Sequence, residues 1–441
     1  PIQGDMVHPY LRRRQGIEAV SYPSEAVRSV LERTLGVPIF QEQVMQLAMV
    51  AAGFSAGEAD QLRRAMAAWK RRGGLEPFER KLIDGMRERG YSDDFAQAIF
   101  RQIRGFGEYG FPESHAASFA LLVYVSAWLK HHHPGVFTCA LLNAQPMGFY
   151  APAQLVADAR RHGVTVLPVD VCASDWDCTM DSRAACDTAD GAAPSLRLGL
   201  RLVRSLSPEG AARLMTARNA SAFSSVEDLA RRARLESKDL DALAAAGSLE
   251  SLAGNRHQAR WAVTDVDDKP LTFETATQPD SSRLGVLALN AVNDAPPTLP
   301  EPTQADDLIA DYAQLGLSLG PHPLALLRTR LTALGFLSAT EVLRRGDGRP
   351  VHACGIVINR QRPGSAGGVI FTTLEDETGM LNVVVWNKVI EAQRKPLLSA
   401  RLLGVHGTLE RADGVTHLIA GRLEDLTPLL GGLITQSRDF Q

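Results

Sequence analysis

The chain has 441 residues, with 47 Lys and Arg against 50 Asp and Glu and 45% hydrophobic residues. At roughly 100–200 residues per domain that length suggests about three or four domains, and the apolar fraction excludes wholesale disorder or a fibre. Five cysteines are too few for a disulfide scaffold. Cys172, Cys178 and Cys186 are separated by five and seven residues, unlike a zinc pair, which points to a reducing, cytosolic setting. The longest apolar run, Ala116 to Trp128, is too short to span a bilayer, and no secretory signal opens the chain. The start at Pro1-Ile2-Gln3, without methionine, reads as a cut from something longer.

Near-neutral total charge argues against a polyanion partner, but its distribution argues the other way. Residues 195–262 hold eleven Lys and Arg against seven Asp and Glu, whereas residues 263–312 hold two against ten. Segments 1–133 and 313–349 are net +2 and +3, 134–194 is −4, and 350–428 is neutral. Basic modules alternating with acidic connectors suit a multidomain protein that touches polyanions at several places. Chance clustering on solvated faces gives the same arithmetic.

Residues 1–150 read as mostly helical. Ser55-Ala56-Gly57-Glu58 is a capping box, and the helix it opens carries Leu62, Ala65, Met66 and Trp69 on one stripe. Arg63 and Lys70 stack on another face beside Arg64 and Arg71, and Lys70-Arg71-Arg72 precedes the helix-stopping Gly73-Gly74. Such a cluster is either a solvated face complementing the helix dipole or an anion contact. Residues 105–115 form a Gly/aromatic loop, with Ser114 and His115 near the start of an apolar helix. It is a phosphate cradle or an ordinary connection, matching neither Walker A nor a dinucleotide fingerprint. His131-His132-His133 point apart on a helix and suit its C-terminus better than a metal.

A helix at Ala153 to Arg161 and a strand at Val164 to Pro168 open the connecting segment 151–194. Asp175, Asp177 and Asp181 follow in a polar stretch without ligand spacing and read as solvated. In 195–262, Ser207-Pro208-Glu209 is a helix start, preceded by Leu198 to Arg204 and followed by Ala211 to Arg218. Two short helices joined by a tight turn fit a helix-hairpin-helix, which offers turn amides to DNA phosphate. A second pair follows, from a capping box at Ser224 to Glu227 through a helix at Leu240 to Ala246, then Gly247, to a helix ending near Trp261. A plain helical bundle is the alternative.

Residues 263–312 read as an acidic, Pro-rich linker with room for one short ordered segment, and 313–349 as a helical connector. Residues 350–428 carry strand signals at Val351 to Asn359, Gly368 to Leu374 and Met380 to Trp386. A helix near Asn387 to Arg394 and strands at Ala400 to Leu409 and Val415 to Arg422 complete an OB-fold order. Residues 429–441 are a tail. Phe371 and Trp386 are the few aromatics for stacking, while Arg360 and Arg362 are placed to touch a nucleic-acid backbone.

Three runs carry a family resemblance: Val37 to Met45 (VPIFQEQVM), Ala59 to Met66 (ADQLRRAM), and Gly107-Glu108-Tyr109-Gly110-Phe111 with Ser114-His115. They resemble the fingers of bacterial C-family DNA polymerases, relatives of the polymerase III alpha subunit. The resemblance continues through the hairpins and barrel over nearly the whole chain. It implies a multidomain α+β protein: helical fingers and a helix-hairpin-helix region, then a C-terminal OB-fold β-barrel. It also implies template-directed transfer of dNMP to a primer 3′-OH. Arg63, Arg64, Lys70, Arg71 and Arg72 become triphosphate contacts, with Tyr109, Gly110, Ser114 and His115 lining the nucleotide pocket. Arg201, Arg204, Ser207, Gly247, Arg360 and Arg362 become DNA contacts.

In the family two Mg²⁺ ions sit on palm carboxylates, so the palm is expected upstream of Pro1 and this fragment is expected to be inactive alone. Expected partners are primer–template DNA, dNTP, accessory mutagenesis proteins and, indirectly, a sliding clamp, in the cytoplasm and away from membranes. Glu113 stands where replicative relatives have Lys before Ser-His. A clamp-binding peptide and a replicative C-terminal domain are not evident. These departures point to the error-prone, damage-induced branch acting in translesion synthesis. The alternatives are the replicative alpha subunit and a non-catalytic DNA-binding scaffold. Ser205-Leu206-Ser207 also replaces the usual glycine-flanked turn, which weakens the first hairpin.

Overall fold

The computed structural model describes residues 7–72, 75–105, 112–147, 150–181, 194–267, 299–363, 366–412, 414–433 and 438–440. The chain divides into two compact units, Pro1–Trp128 and Leu129–Gln441.

The first unit is helical: α1 (Val7–Arg14), α2 (Glu25–Leu31), α3 (Gln41–Ala52), α4 (Ala56–Arg72), α5 (Glu76–Glu88), α6 (Asp93–Gly105) and the first part of α7 (Glu113–His132). The helical spacing in α4 works as its stripe requires, burying Leu62 and Met66 against Leu47, Leu82, Met86 and Ile103. The Ser55 box forms: the Ser55 amide donates to Glu58 at 2.9 Å, and the Glu58 amide returns to Ser55 Oγ at 3.3 Å. Buried Gln43 holds the entry to α3. Its Oε1 accepts from the Ile39 and Phe40 amides, while Nε2 donates to Val30 O and Thr34 Oγ1. Both lone pairs of Oε1 and both N–H groups of Nε2 are thereby used, so its burial costs little. At Gly85 on α5, an added Cβ would lie 2.1 Å from Ala52 O, so glycine sets the close approach of α3 and α5. In contrast, α7 has no buried residue, and Leu121, Leu122, Val123 and Tyr124 are all exposed.

The second unit begins with α8 (Pro134–Asn143) and α9 (Pro152–Arg161), then β1 (Val166–Leu167), β2 (Thr179–Asp181) and β3 (Ser195–Arg197). These strands make a sheet of order β1-β3-β2. Of the aspartates read as solvated, Asp175 and Asp177 are exposed and Asp181 is half-buried, and each is also held by an arginine. Asp175 pairs with Arg218 at 2.6 Å, Asp177 with Arg201 at 2.7 Å and Asp181 with Arg197 at 3.2 Å. Sequence spacing hid this because the arginines arrive from later elements.

The helical layer continues with α10 (Pro208–Ala220), α11 (Val226–Ala233), α12 (Ser237–Ala245), α13 (Glu250–Ala253) and α14 (Arg256–Asp267). Ahead of α10, the expected short helix is only a 3₁₀ turn, Leu200–Leu202. The second capping box lies one residue later than expected: Ser225 caps the Asp228 amide, and Asp228 accepts from Ser224 N. The helix expected to end near Trp261 continues to Asp267. Part of the expected linker is structural, since α15 (Gln304–Gln314) packs back on this layer and is followed by α16 (Pro323–Ala333) and α17 (Ala339–Leu343). Its Asp307 and Asp311 grip buried Arg256 at 2.6 and 2.5 Å.

The barrel comprises β4 (Pro350–Gln361), β5 (Ile370–Asp376), β6 (Gly379–Val385), the helix pair α18 (Asn387–Ala392) and α19 (Arg394–Ser399), β7 (Leu402–Ala412) and β8 (Val415–Asp425). The strand order β5-β6-β8-β7-β4 closes through a β4–β5 pairing, and β9 (Arg438–Phe440) adds in parallel to β4. Alternation fills the interior with Val351, Leu374, Val383, Val405 and Leu418. Thr372 is also turned inward, 1% exposed, and among the described residues its hydroxyl has no partner. The single helix expected after β6 is broken at Gln393.

Candidate nucleic-acid interface

On α4, Asp60 gathers the two basic residues that share its face. Its carboxylate meets Arg63 at 2.9 Å and Arg64 at 2.5 Å. The Arg63 bond, then that of Arg64, holds the Asp60 carboxyl below its ordinary value. Both guanidiniums are thus oriented yet stay exposed, as a phosphate contact needs. The side chains of Lys70, Arg71 and Arg72, and all of Tyr109 and Gly110, lie outside the described residues.

Ser114 and His115 are exposed in the first turn of α7, with the His115 ring 4.4 Å from that of Phe119. Glu113 accepts from Arg33 at 2.5 Å and 3.2 Å, and its own amide donates to Glu42. A lysine at this position would lose the Arg33 pair, so the departure at Glu113 is matched by a partner in the same unit.

The hairpin residues are engaged within the chain. Arg201 donates to Asn143 O, Gln145 O and Asp177. Arg204 donates through its guanidinium to Ala313 O at 2.8 Å and through its amide to Gln314 O at 3.0 Å. The Ser207 amide donates to Asp239 Oδ1 at 2.8 Å and its hydroxyl to Oδ2 at 2.7 Å, while Ser207 Oγ caps Gly210 N. Asp239 is only 2% exposed, so a buried anion already holds the turn amide that a DNA phosphate would take. Ser205 adopts φ +68°, the left-handed conformation that the usual glycine supplies without strain.

At the second turn, Gly247 has φ +73°, and an added Cβ would lie 2.7 Å from Arg256 Nη2. Its amide donates to Ala244 O. Arg201, Arg204, Ser207 and Gly247, expected as DNA contacts, thus all make bonds within the chain, and Arg204 is also exposed. Exposed Lys238 and Arg260 instead flank an open groove of about 750 Å³, with Ser205 in its wall.

The two barrel arginines separate. Arg360 is 6% exposed and donates to Leu397 O at 2.6 Å and Ala400 O at 2.5 Å, capping the C-terminus of α19. Its expected contact is with a nucleic-acid backbone, whereas here it is buried on protein carbonyls. Arg362 is exposed in the loop between β4 and β5, on the side of an OB barrel that commonly meets single strands.

Sequence reading missed a polar row on the barrel exterior. Register pairs Asn359 with Thr373, Thr373 with Asn382, and Asn382 with His417, across β4, β5, β6 and β8. Each residue alone looks like an ordinary outward strand position, and the row exists only once register is known.

Three family models match the chain: the bacterial DNA polymerase III alpha subunit finger domain over residues 1–90, a helix-hairpin-helix motif over 163–259, and an OB-fold nucleic acid binding domain over 351–426. All 441 residues also align with curated proteins called error-prone DNA polymerase. That of Alkalilimnicola ehrlichii is 60% identical over 440 residues and that of Methylococcus capsulatus 56% over 454. The chain belongs to the error-prone DNA polymerase family. It spans 41% and 42% of those two relatives, and 41% of the Pseudomonas paraeruginosa relative, which is 54% identical. Arg33 lies within the residues matched by the finger-domain model, and its partner Glu113 lies beyond them.

Among the described residues, no group of three or more His, Cys, Asp or Glu could hold a metal ion. No described helix is long and apolar enough to cross a membrane. The four described cysteines are free thiols, and burial pushes Cys178 up to about 11.

Proposed function

We propose that the protein to which these 441 residues belong is an error-prone, DNA-directed DNA polymerase that transfers dNMP to a primer 3′-OH in damage-induced synthesis. The observation that carries this is the end-to-end alignment, at 54–60% identity, with proteins of that name. The same naming favours the error-prone reading over the replicative one, and the fingers model favours it over a scaffold.

In this reading, α4 supplies Arg63 and Arg64, with Lys70, Arg71 and Arg72, to the incoming triphosphate, where guanidinium forks match phosphate oxygens. Tyr109, Gly110, Ser114 and His115 line the nucleotide pocket. The described residues do not fit a Mg²⁺ site, so the metal that phosphoryl transfer requires belongs to carboxylates elsewhere in the longer protein. The barrel holds single-stranded template, with Arg362 on its backbone, and Lys238 and Arg260 serve duplex phosphate. Primer–template, dNTP, accessory mutagenesis proteins and an indirectly reached clamp are the partners, in the cytoplasm.

The test is primer extension with Mg²⁺. The longer protein is expected to extend a primer, and the 441-residue chain to bind primer–template without extending it. Failure of the longer protein to extend overturns the reading. In the longer protein, Arg63→Ala should raise the apparent Kd for dNTP far more than that for DNA. Equal losses would remove the triphosphate assignment.

A further inference from the structure

A cleft of about 690 Å³ separates the outer face of the barrel from α8 and α9. That is the size of an ordinary small-molecule site, roughly 300–1,000 Å³. Its barrel wall is the polar row: Asn359, Thr373 and Asn382, with Ile358 and Met380 beside them. The facing wall presents Phe137, Leu141, Met147 and Tyr150. Lys130 and Arg161 stand at the cleft with Asp158, which accepts from Lys130 at 2.9 Å and lies 3.7 Å from Arg161.

These groups sort into three chemistries. Tyr150, 55% exposed, and Met380 offer flat or polarisable surface for a ring. Thr373 Oγ1 contacts Asn382 Oδ1 at 3.5 Å, and among the described residues the Asn382 amide nitrogen has no partner. Carboxamides facing such a space suit the mixed donor–acceptor edge of a nucleobase. Two cations tempered by one carboxylate leave charge for about one phosphate, too little for a triphosphate.

We propose that this cleft takes one unstacked nucleotide of a single DNA strand, its base between Tyr150 and Met380, its edge on Asn359 and Asn382, and its phosphate toward Lys130 and Arg161. The inference rests on the reading of the barrel as a single-strand binder and adds the site where a base is held. A base leaving the stack here is gripped from both sides, whereas an open barrel face contacts it from one side only. Asn359, Thr373 and Asn382 also make the grip sensitive to base identity, which stacking alone does not.

The experiment is anisotropy titration of the 441-residue chain with a labelled thymidine octamer and with an abasic octamer of the same phosphate count. The base-bearing strand is expected to bind about tenfold or more tightly than the abasic one. Tyr150→Ala and Asn382→Ala should each erase most of that difference, with melting temperatures unchanged. Thr373→Val serves as a second probe of the same row and should do likewise. If the wild-type chain prefers the base-bearing strand but the variants retain the preference, the cleft is not the base site, while single-strand binding stands. If the wild-type chain binds neither strand, the barrel reading fails as well. Free dTMP competing as effectively as the octamer overturns the assignment to a strand.

Discussion

The first hairpin and the outer face of the barrel are both nucleic-acid motifs by sequence, yet their polar groups are spent differently. In the hairpin, Asp239 takes the Ser207 amide and hydroxyl, and α15 takes Arg204. On the barrel, the row from Asn359 to Asn382 opens on a cleft. A motif names the groups that could meet a phosphate, but packing decides which remain available. The hairpin therefore behaves as a structural joint, and changes there should cost stability before they cost DNA affinity.

The largest expected effect is at Asp239. Asp239→Ala leaves two half-buried donors unmet and should destabilise the hairpin layer by about 2–3 kcal/mol, read by amide exchange in α10 under urea. Exchange unchanged within about 0.5 kcal/mol would mean that solvent replaces the carboxylate there. Arg204→Ala should cost about 0.5–1 kcal/mol through the lost exposed bond to Ala313, without changing DNA affinity at fixed salt. In the barrel the sign reverses. Thr372→Val removes an unpartnered buried hydroxyl at nearly constant volume and should stabilise the chain by about 1 kcal/mol in urea titrations.

Acid separates the regions by sign. Asp228, in the first turn of α11, is held below its ordinary 3.8 by the Ser224 amide, with Arg232 and Arg231 adding to this. Its contribution is present above that value and is lost as pH falls below it. Glu375 on β5 is pushed above its ordinary 4.5 by burial, with Asp376 adding to this against Arg161. Folding therefore gains from its protonation as pH falls toward 4.5 from above, and loses that gain as pH rises. Asp228→Asn should flatten the acid loss in α11, and Glu375→Gln the opposing change in β5, both measured by amide exchange from pH 6 to 3. The smallest effect is Asn382→Ala, expected within about 0.5 kcal/mol in stability because the side chain is exposed.

Much of this architecture was legible because its signals are local. The Ser55 box, the Ser207-Pro208 start and the strand order through Asp425 depend on residues a few positions apart. The first hairpin helix was misread because Leu198 to Arg204 looks apolar and basic at any period, whereas the chain there makes a 3₁₀ turn and then the left-handed Ser205. Partners remote in sequence were out of reach. Arg201 with Asn143, Arg256 with Asp307, and Arg360 with the end of α19 join elements 37 to 58 positions apart. The same holds for the polar row, which is a property of register. Arg362 lies on an exposed loop, so its composition and its position agree. Arg360, two residues earlier, faces inward, and no composition argument separates the two.

The salt dependence of single-strand binding tests the central claim, that strand phosphates are met at the cleft and the β4–β5 loop rather than by hairpin arginines whose guanidiniums are bonded to backbone carbonyls. Each phosphate contact contributes about −0.7 to the slope of log K against log salt for single strands. Arg201→Ala with Arg204→Ala should leave that slope unchanged in chains that remain folded, whereas Arg161→Ala with Arg362→Ala should flatten it by about 1.4. A flattened slope in the Arg201 and Arg204 variant, with no change in the Arg161 and Arg362 variant, would contradict the account.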